Sequence, residues 1–248
     1  MKTGNPVLNE KVFAEEARVG TSQDSMTLDG TVVKTFGLAT LVVAGAGWVW
    51  HLLALGQSPT GVIPWLLVGS IGGFILALVT IFNKPISPFT APIYALLEGF
   101  VLGGVSALAN GQYPGVVPQA VGLTLGTLFA MLLAYATGLI KVTENFKLGL
   151  FAATGGIAIY YFAGFILSFF SIQVPMIWDS GPWGIGFSCF VIVIAALNLV
   201  LDFDFIESGV AARAPKYMEW YGAFGLIVTL VWLYMEILRL LSKARSRN

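Results

Sequence analysis

Seven long apolar stretches dominate the chain: Val33–Leu55, Val62–Phe82, Ala91–Asn110, Val116–Ile140, Phe146–Phe170, Trp183–Phe205 and Met218–Leu241. Each is close to the roughly 20 residues a helix needs to cross bilayer hydrocarbon. Inside a bilayer every lipid-facing backbone N–H and C=O has to be satisfied within the chain, so stretches of this kind can only be helices. The fold class that follows is all-α, a polytopic membrane protein with seven transmembrane helices. Composition agrees: 10% of the 248 residues are charged and 57% are hydrophobic, against about 25% charged in an average soluble domain. Turn residues mark the breaks, as in Gly56-Gln57-Ser58-Pro59, Asn83-Lys84-Pro85, Asn110 to Gly115, and Ser180-Gly181-Pro182.

The segmentation divides the chain into an amino-terminal tail (1–31), a seven-helix membrane domain (32–242) and a short basic carboxy-terminal tail (243–248). The tail carries Glu10, Lys11, Glu15, Glu16, Arg18, Asp24 and Asp29. It lacks the apolar core of a cleaved signal peptide, and a short helix is expected over Asn9–Arg18. Orientation follows from where Lys and Arg fall. Lys2, Lys11, Arg18, Lys34, Lys84, Lys141, Lys147, Arg213 and Lys216 share one side, and the loops after helices 1, 3 and 5 hold none. The amino terminus is therefore expected in the cytoplasm. Arg239, Lys243, Arg245 and Arg247 disagree, because seven crossings put them outside. Either the last tail breaks the rule or helix 7 is re-entrant; seven crossings is the stronger reading.

Several functions are excluded or disfavoured. Equal numbers of acidic and basic residues (13 each) argue against nucleic-acid binding. A single Cys189 and a single His51 leave no disulfide framework and no Cys or multi-His metal site. His51 and the Trp48/Trp50 pair read as interface anchors at the end of helix 1. A hydroxyl nucleophile would want a base nearby, and His51 sits at an interface, so the chain does not read as an enzyme. Gly69/Gly73, Gly99/Gly103 and Gly122/Gly126, each four apart, allow close helix contacts, more readily within one molecule than between two.

Ionisable side chains within spans are costly and mark function. Helix 6 ends Leu197 to Glu207, with Asn198 and Asp202 four apart on one face. Asp202 is expected to look into the protein, and Asp204 and Glu207 toward water. Glu98 in helix 3 is expected at a similar depth to Asp202. Two carboxylates brought together there would share a proton, or, when ionised, offer oxygen ligands to Ca²⁺. Helix 7 presents Gly222, Gly225, Thr229, Trp232 and Glu236 on one face, with Arg239 one turn from Glu236. That pair reads as a structural ion pair ahead of a cation-entry site.

The Leu201 to Glu207 end of helix 6 and the Glu219 to Gly225 opening of helix 7 resemble the Bax inhibitor-1 (transmembrane BAX inhibitor motif) family. Asn5-Pro6-Val7-Leu8-Asn9 and the Ser87 to Ala95 segment resemble its bacterial branch. The resemblance covers essentially the whole chain. It implies six helices around a central helix 7, a bacterial plasma membrane, and a pH-sensitive Ca²⁺ leak gated by interacting aspartates in helices 6 and 7. Asp202 matches the first aspartate and Arg239 the late arginine. The second aspartate falls on Thr229, which cannot share a proton as an acid, so Glu98 is the candidate replacement. Three functions compete. The first is a pH-modulated Ca²⁺ leak using Asp202, Glu98, Thr229, Asn198, Asp204, Glu236 and Arg239, with no resident cofactor. The second is a non-transporting regulator that binds another membrane protein such as a quality-control protease. A proton-coupled solute transporter, which wants a broken midplane helix, ranks last.

Overall fold

The computed structural model describes residues 25–55, 59–170 and 179–247. The helix expected over Asn9–Arg18 and the Asn5–Asn9 motif lie outside them. Seven helices follow in order: α1 (Leu28–Ala54), α2 (Ile63–Phe82), α3 (Ser87–Gln112), α4 (Val116–Ala136), α5 (Glu144–Ser168), α6 (Pro182–Ala211) and α7 (Met218–Ser246). All seven are long and apolar enough to cross a membrane. The end of the bundle where α1 begins is the near end, and the end where α7 finishes is the far end.

Local chemistry sets the helix ends. Thr27 caps α1 by accepting from Gly30 N at 3.0 Å, and Thr143 caps α5 by accepting from Phe146 N at 3.2 Å. The expected fourth span ran to Ile140, but α4 stops at Ala136. Gly138 turns the chain through a left-handed φ of 69° there, and Leu139 N and Ile140 N fold back onto Ala134 O. Helix α6 runs past the expected Phe205 to Ala211, because its late carboxylates find partners in α4 and α5. Helix α7 is unbroken over 29 residues, or about 43 Å at about 1.5 Å per residue. That exceeds the roughly 30 Å hydrocarbon core, and no break in its backbone suggests a re-entrant turn. Lys243 and Arg245 belong to α7 rather than to a separate tail.

Helix α7 packs against α1, α3, α4 and α6. Its Tyr221, Phe224, Leu233 and Ile237 belong to the larger core cluster, with the Tyr94 ring of α3 set edge-on to Phe224 at 4.8 Å. Helix α2 lies on α3, and α5 lies on α6. A second, smaller cluster (Leu150, Ile157, Val191, Ile194, Leu201) joins α5 to α6, with Trp232 of α7 packed on it.

Two of the three glycine pairs act where close approach requires them. A Cβ on Gly99 would collide with the α1 backbone at Val42 and Gly45, and one on Gly103 would lie 2.7 Å from Ala46 Cα. Gly69 faces the α3 backbone at Leu97 in the same way. Gly122 and Gly126 face open space among the described residues, so that pair makes no helix contact here.

Candidate functional site

Three polar side chains of α5, Lys147, Thr154 and Tyr161, recur every seven residues, which is close to two helical turns and keeps them on one face. Each meets a polar group on α6 or α7. Toward the near end, Lys147 is 4% exposed and its Nζ lies 3.0 Å from Asp204 Oδ2, with Glu144 at 3.8 Å. In the middle, Asn198 Nδ2 donates to Thr154 Oγ1 at 2.9 Å and to Ile194 O at 2.8 Å. Toward the far end, Tyr161 Oη donates to Glu236 Oε1 at 2.8 Å. Arg239 Nη1 donates both to that carboxylate oxygen at 2.5 Å and to Tyr161 Oη at 2.8 Å. The Arg239 guanidinium also lies 5.1 Å from the Tyr161 ring centroid, a cation–π distance.

These contacts form a three-rung polar ladder at the junction of α5, α6 and α7. Fourteen residues separate its end rungs along α5, about 21 Å, most of the roughly 30 Å hydrocarbon thickness. Asp202, at 0% exposure, sits one turn from Asn198 on the near-end side, between the first two rungs. Thr229 of α7 is also buried, two turns before Glu236. Buried oxygens normally have a hydrogen-bond donor. Asn198 Oδ1 and Glu236 Oε2 have none among the described residues.

The structure brings Asn198, Asp202, Asp204, Glu236 and Arg239 into this one region. Glu207 is exposed, as expected of a residue that faces water, whereas Asp204 is 22% exposed and turns toward a partner in the bundle. Asp204 pairs with Lys147, and Glu207 accepts from the Tyr135 hydroxyl of α4. Glu98 faces a different neighbourhood: a Cβ built on Gly73 of α2 would lie 3.2 Å from Glu98 Oε1, and Tyr94 is the polar side chain acting on it from one turn away. No group of three or more His, Cys, Asp or Glu that could hold a metal ion occurs among the described residues, so Asp202 and Glu98 do not form part of such a cluster.

Glu219 is fully buried at the near end of α7 and pairs with Lys216 at 2.9 Å and with Lys34 of α1. Thr27 adds two bonds, from N at 2.9 Å and from Oγ1 at 2.7 Å. Beside it, Met26 N donates to Ala214 O at 2.7 Å. This knot fastens the start of α1 to the loop between α6 and α7.

A family model described as Bax inhibitor 1 like matches residues 5–246, nearly the whole chain. The chain belongs to the Bax inhibitor 1 like family. No curated protein and no solved structure matches it. A Bax inhibitor 1 like protein with seven apolar helices is a multi-pass integral membrane protein that sits in a lipid bilayer. The polar faces of the last two spans and the resemblance both pointed to α6 and α7. The α5 half of the ladder was missed, although its signal, three polar residues seven apart in an apolar span, is present in the sequence.

Proposed function

We propose that this protein is a pH-modulated cation leak, permeable to Ca²⁺, with the α5–α6–α7 ladder as its path and the described conformation as a closed state. The observation that carries this reading is the ladder itself: polar and charged groups at three depths, with a fully buried Asp202 between two of them. Burying such groups in a membrane is costly and is retained where ions or protons move. Asp204 is paired with Lys147 and Glu236 with Arg239, which keeps these two carboxylates from a cation until a rung opens. The acceptor oxygens of Asn198 and Glu236 that lack donors are hard ligands of the kind Ca²⁺ takes. Ca²⁺ enters this reading as the permeant ion. Thr229 stands where the resemblance expects a second acid, so the proton response rests on Asp202, and Glu98 lies off the path. The distribution of Lys and Arg supports a cytoplasmic amino terminus, and the resemblance to the bacterial branch supports a bacterial plasma membrane.

The test is Ca²⁺ entry into sealed proteoliposomes containing the purified protein, about one pH unit either side of neutral. Wild type should conduct with a flux that differs between the two pH values. Asp202→Asn should lose that difference, and Glu98→Gln should keep it. Absence of flux from every variant at both pH values would remove the leak and leave the binding of another membrane protein as the function to pursue.

A further inference from the structure

At the far end, a cleft of about 510 Å³ opens between the last turns of α3 and α7. Its deeper wall is apolar, formed by Val105, Leu108, Met235 and Leu238. Its polar lining is Arg239, Gln112 and Tyr113, with the buried Lys243 below them. Among the described residues no carboxylate lines it; Glu236 pairs with Arg239 Nη1, and Asp179 acts on Lys243 through space. Both bonds of Arg239 leave from Nη1. A guanidinium has five N–H donors, so Nη2 and Nε of Arg239, on a side chain 25% exposed, have no partner among the described residues. The amide of Gln112 and the hydroxyl of Tyr113 likewise have no side-chain partner there. Lys243 Nζ, at the base, donates to Gly184 O and Ser188 Oγ at 3.1 Å each.

The depth of the cleft fits a membrane surface. Helix α7 is longer than the hydrocarbon core is thick, and Arg239 lies seven residues before its end, about 10 Å. Exposed Trp48, Trp50 and Trp183 ring the same end, where tryptophan favours the headgroup level. An anion with a hydrocarbon tail matches both walls, and a guanidinium with spare donors suits a phosphate oxygen pair.

We propose that this cleft binds the phosphate headgroup of an anionic phospholipid, with an acyl chain along Val105, Leu108, Met235 and Leu238. The proposal does not depend on conduction.

The test uses the full-length protein in a neutral detergent. Binding is counted by native mass spectrometry, and thermal unfolding is followed with added phosphatidylglycerol, phosphatidylcholine or inorganic phosphate. Wild type should retain phosphatidylglycerol at least about tenfold more tightly than phosphatidylcholine, because the two share the phosphate but the choline ammonium adds a positive charge beside Arg239 and Lys243. Arg239→Gln should remove that preference. Ala109→Phe, which fills the cleft from α3 and leaves both cations in place, should also remove it while melting near wild type without lipid. Equal retention of the two lipids by wild type would overturn the proposal, as would a folded Ala109→Phe variant that keeps the preference. Stabilisation by inorganic phosphate equal to that by phosphatidylglycerol would overturn the lipid assignment in favour of a free anion.

Discussion

Glu219 is held by four donors from three parts of the chain: Thr27 N and Oγ1, Lys34 and Lys216. Its carboxylate is buried while Lys34 and Lys216 retain 18% and 50% exposure, so losing the charge strands no buried cation. Glu219→Ala is therefore expected to lower stability by about 1–3 kcal/mol, read as a reduced melting temperature in detergent. Lys216, three residues away in the turn that leads into α7, was legible as a partner from spacing alone. Lys34 and Thr27 were not, because no periodicity reports a contact across 185 or 192 residues. Tyr161 was missed for another reason: taken alone, an aromatic in an apolar span reads as packing, and its seven-residue spacing from Thr154 was the one sign of the bonds its hydroxyl makes to Glu236 and Arg239. Tyr161→Phe removes the bond to Glu236 and one acceptor of Arg239. It should cost about 1 kcal/mol and raise leak flux at fixed pH, measured in the same vesicles; unchanged flux and melting would take Tyr161 out of the ladder.

At the level of the helix, existence and order were fully legible, because seven apolar runs of spanning length admit one solution in a bilayer. Helix ends were less so. The extension of α6 to Ala211 depends on Lys147 and Tyr135 receiving Asp204 and Glu207, and those partners lie on other helices. Glycine spacing shows which positions permit close packing, not which are used. Gly99→Leu should prevent α1 from seating on α3 and sharply lower the yield of folded protein. Gly122→Leu and Gly126→Leu, which meet nothing among the described residues, should melt within about 0.5 kcal/mol of wild type. The comparison is read by size-exclusion profile and thermal melt. A loss at Gly122 equal to that at Gly99 would point to a partner surface on α4.

For the molecule as a whole, the conflict over orientation has a structural basis. Of the four basic residues near the far end, Arg239 pairs with Glu236, Lys243 is buried against Gly184 and Ser188, and Arg245 donates to Pro114 O at 2.7 Å. The rule that places positive loops in the cytoplasm counts charges in short solvated loops, and these three belong to the packed end of α7. The termini are thus expected on opposite sides of the membrane, which protease protection of a tag at each end in inverted vesicles would check. Helix α5 touches the bundle through α6 and the ladder side chains. It is the element whose displacement would open all three rungs together. The most direct measurement follows from that. Thr154 and Asn198, whose side chains meet across α5 and α6, are replaced by cysteines in a Cys189→Ser background and bridged with a short bis-methanethiosulfonate, which forms a disulfide to each cysteine with loss of methanesulfinate and is cleaved by reduction. Ca²⁺ flux into proteoliposomes is recorded before bridging, after bridging and after reduction. If the ladder is the path and opens by movement of α5, flux stops on bridging and returns on reduction. Flux that persists through complete bridging would contradict it.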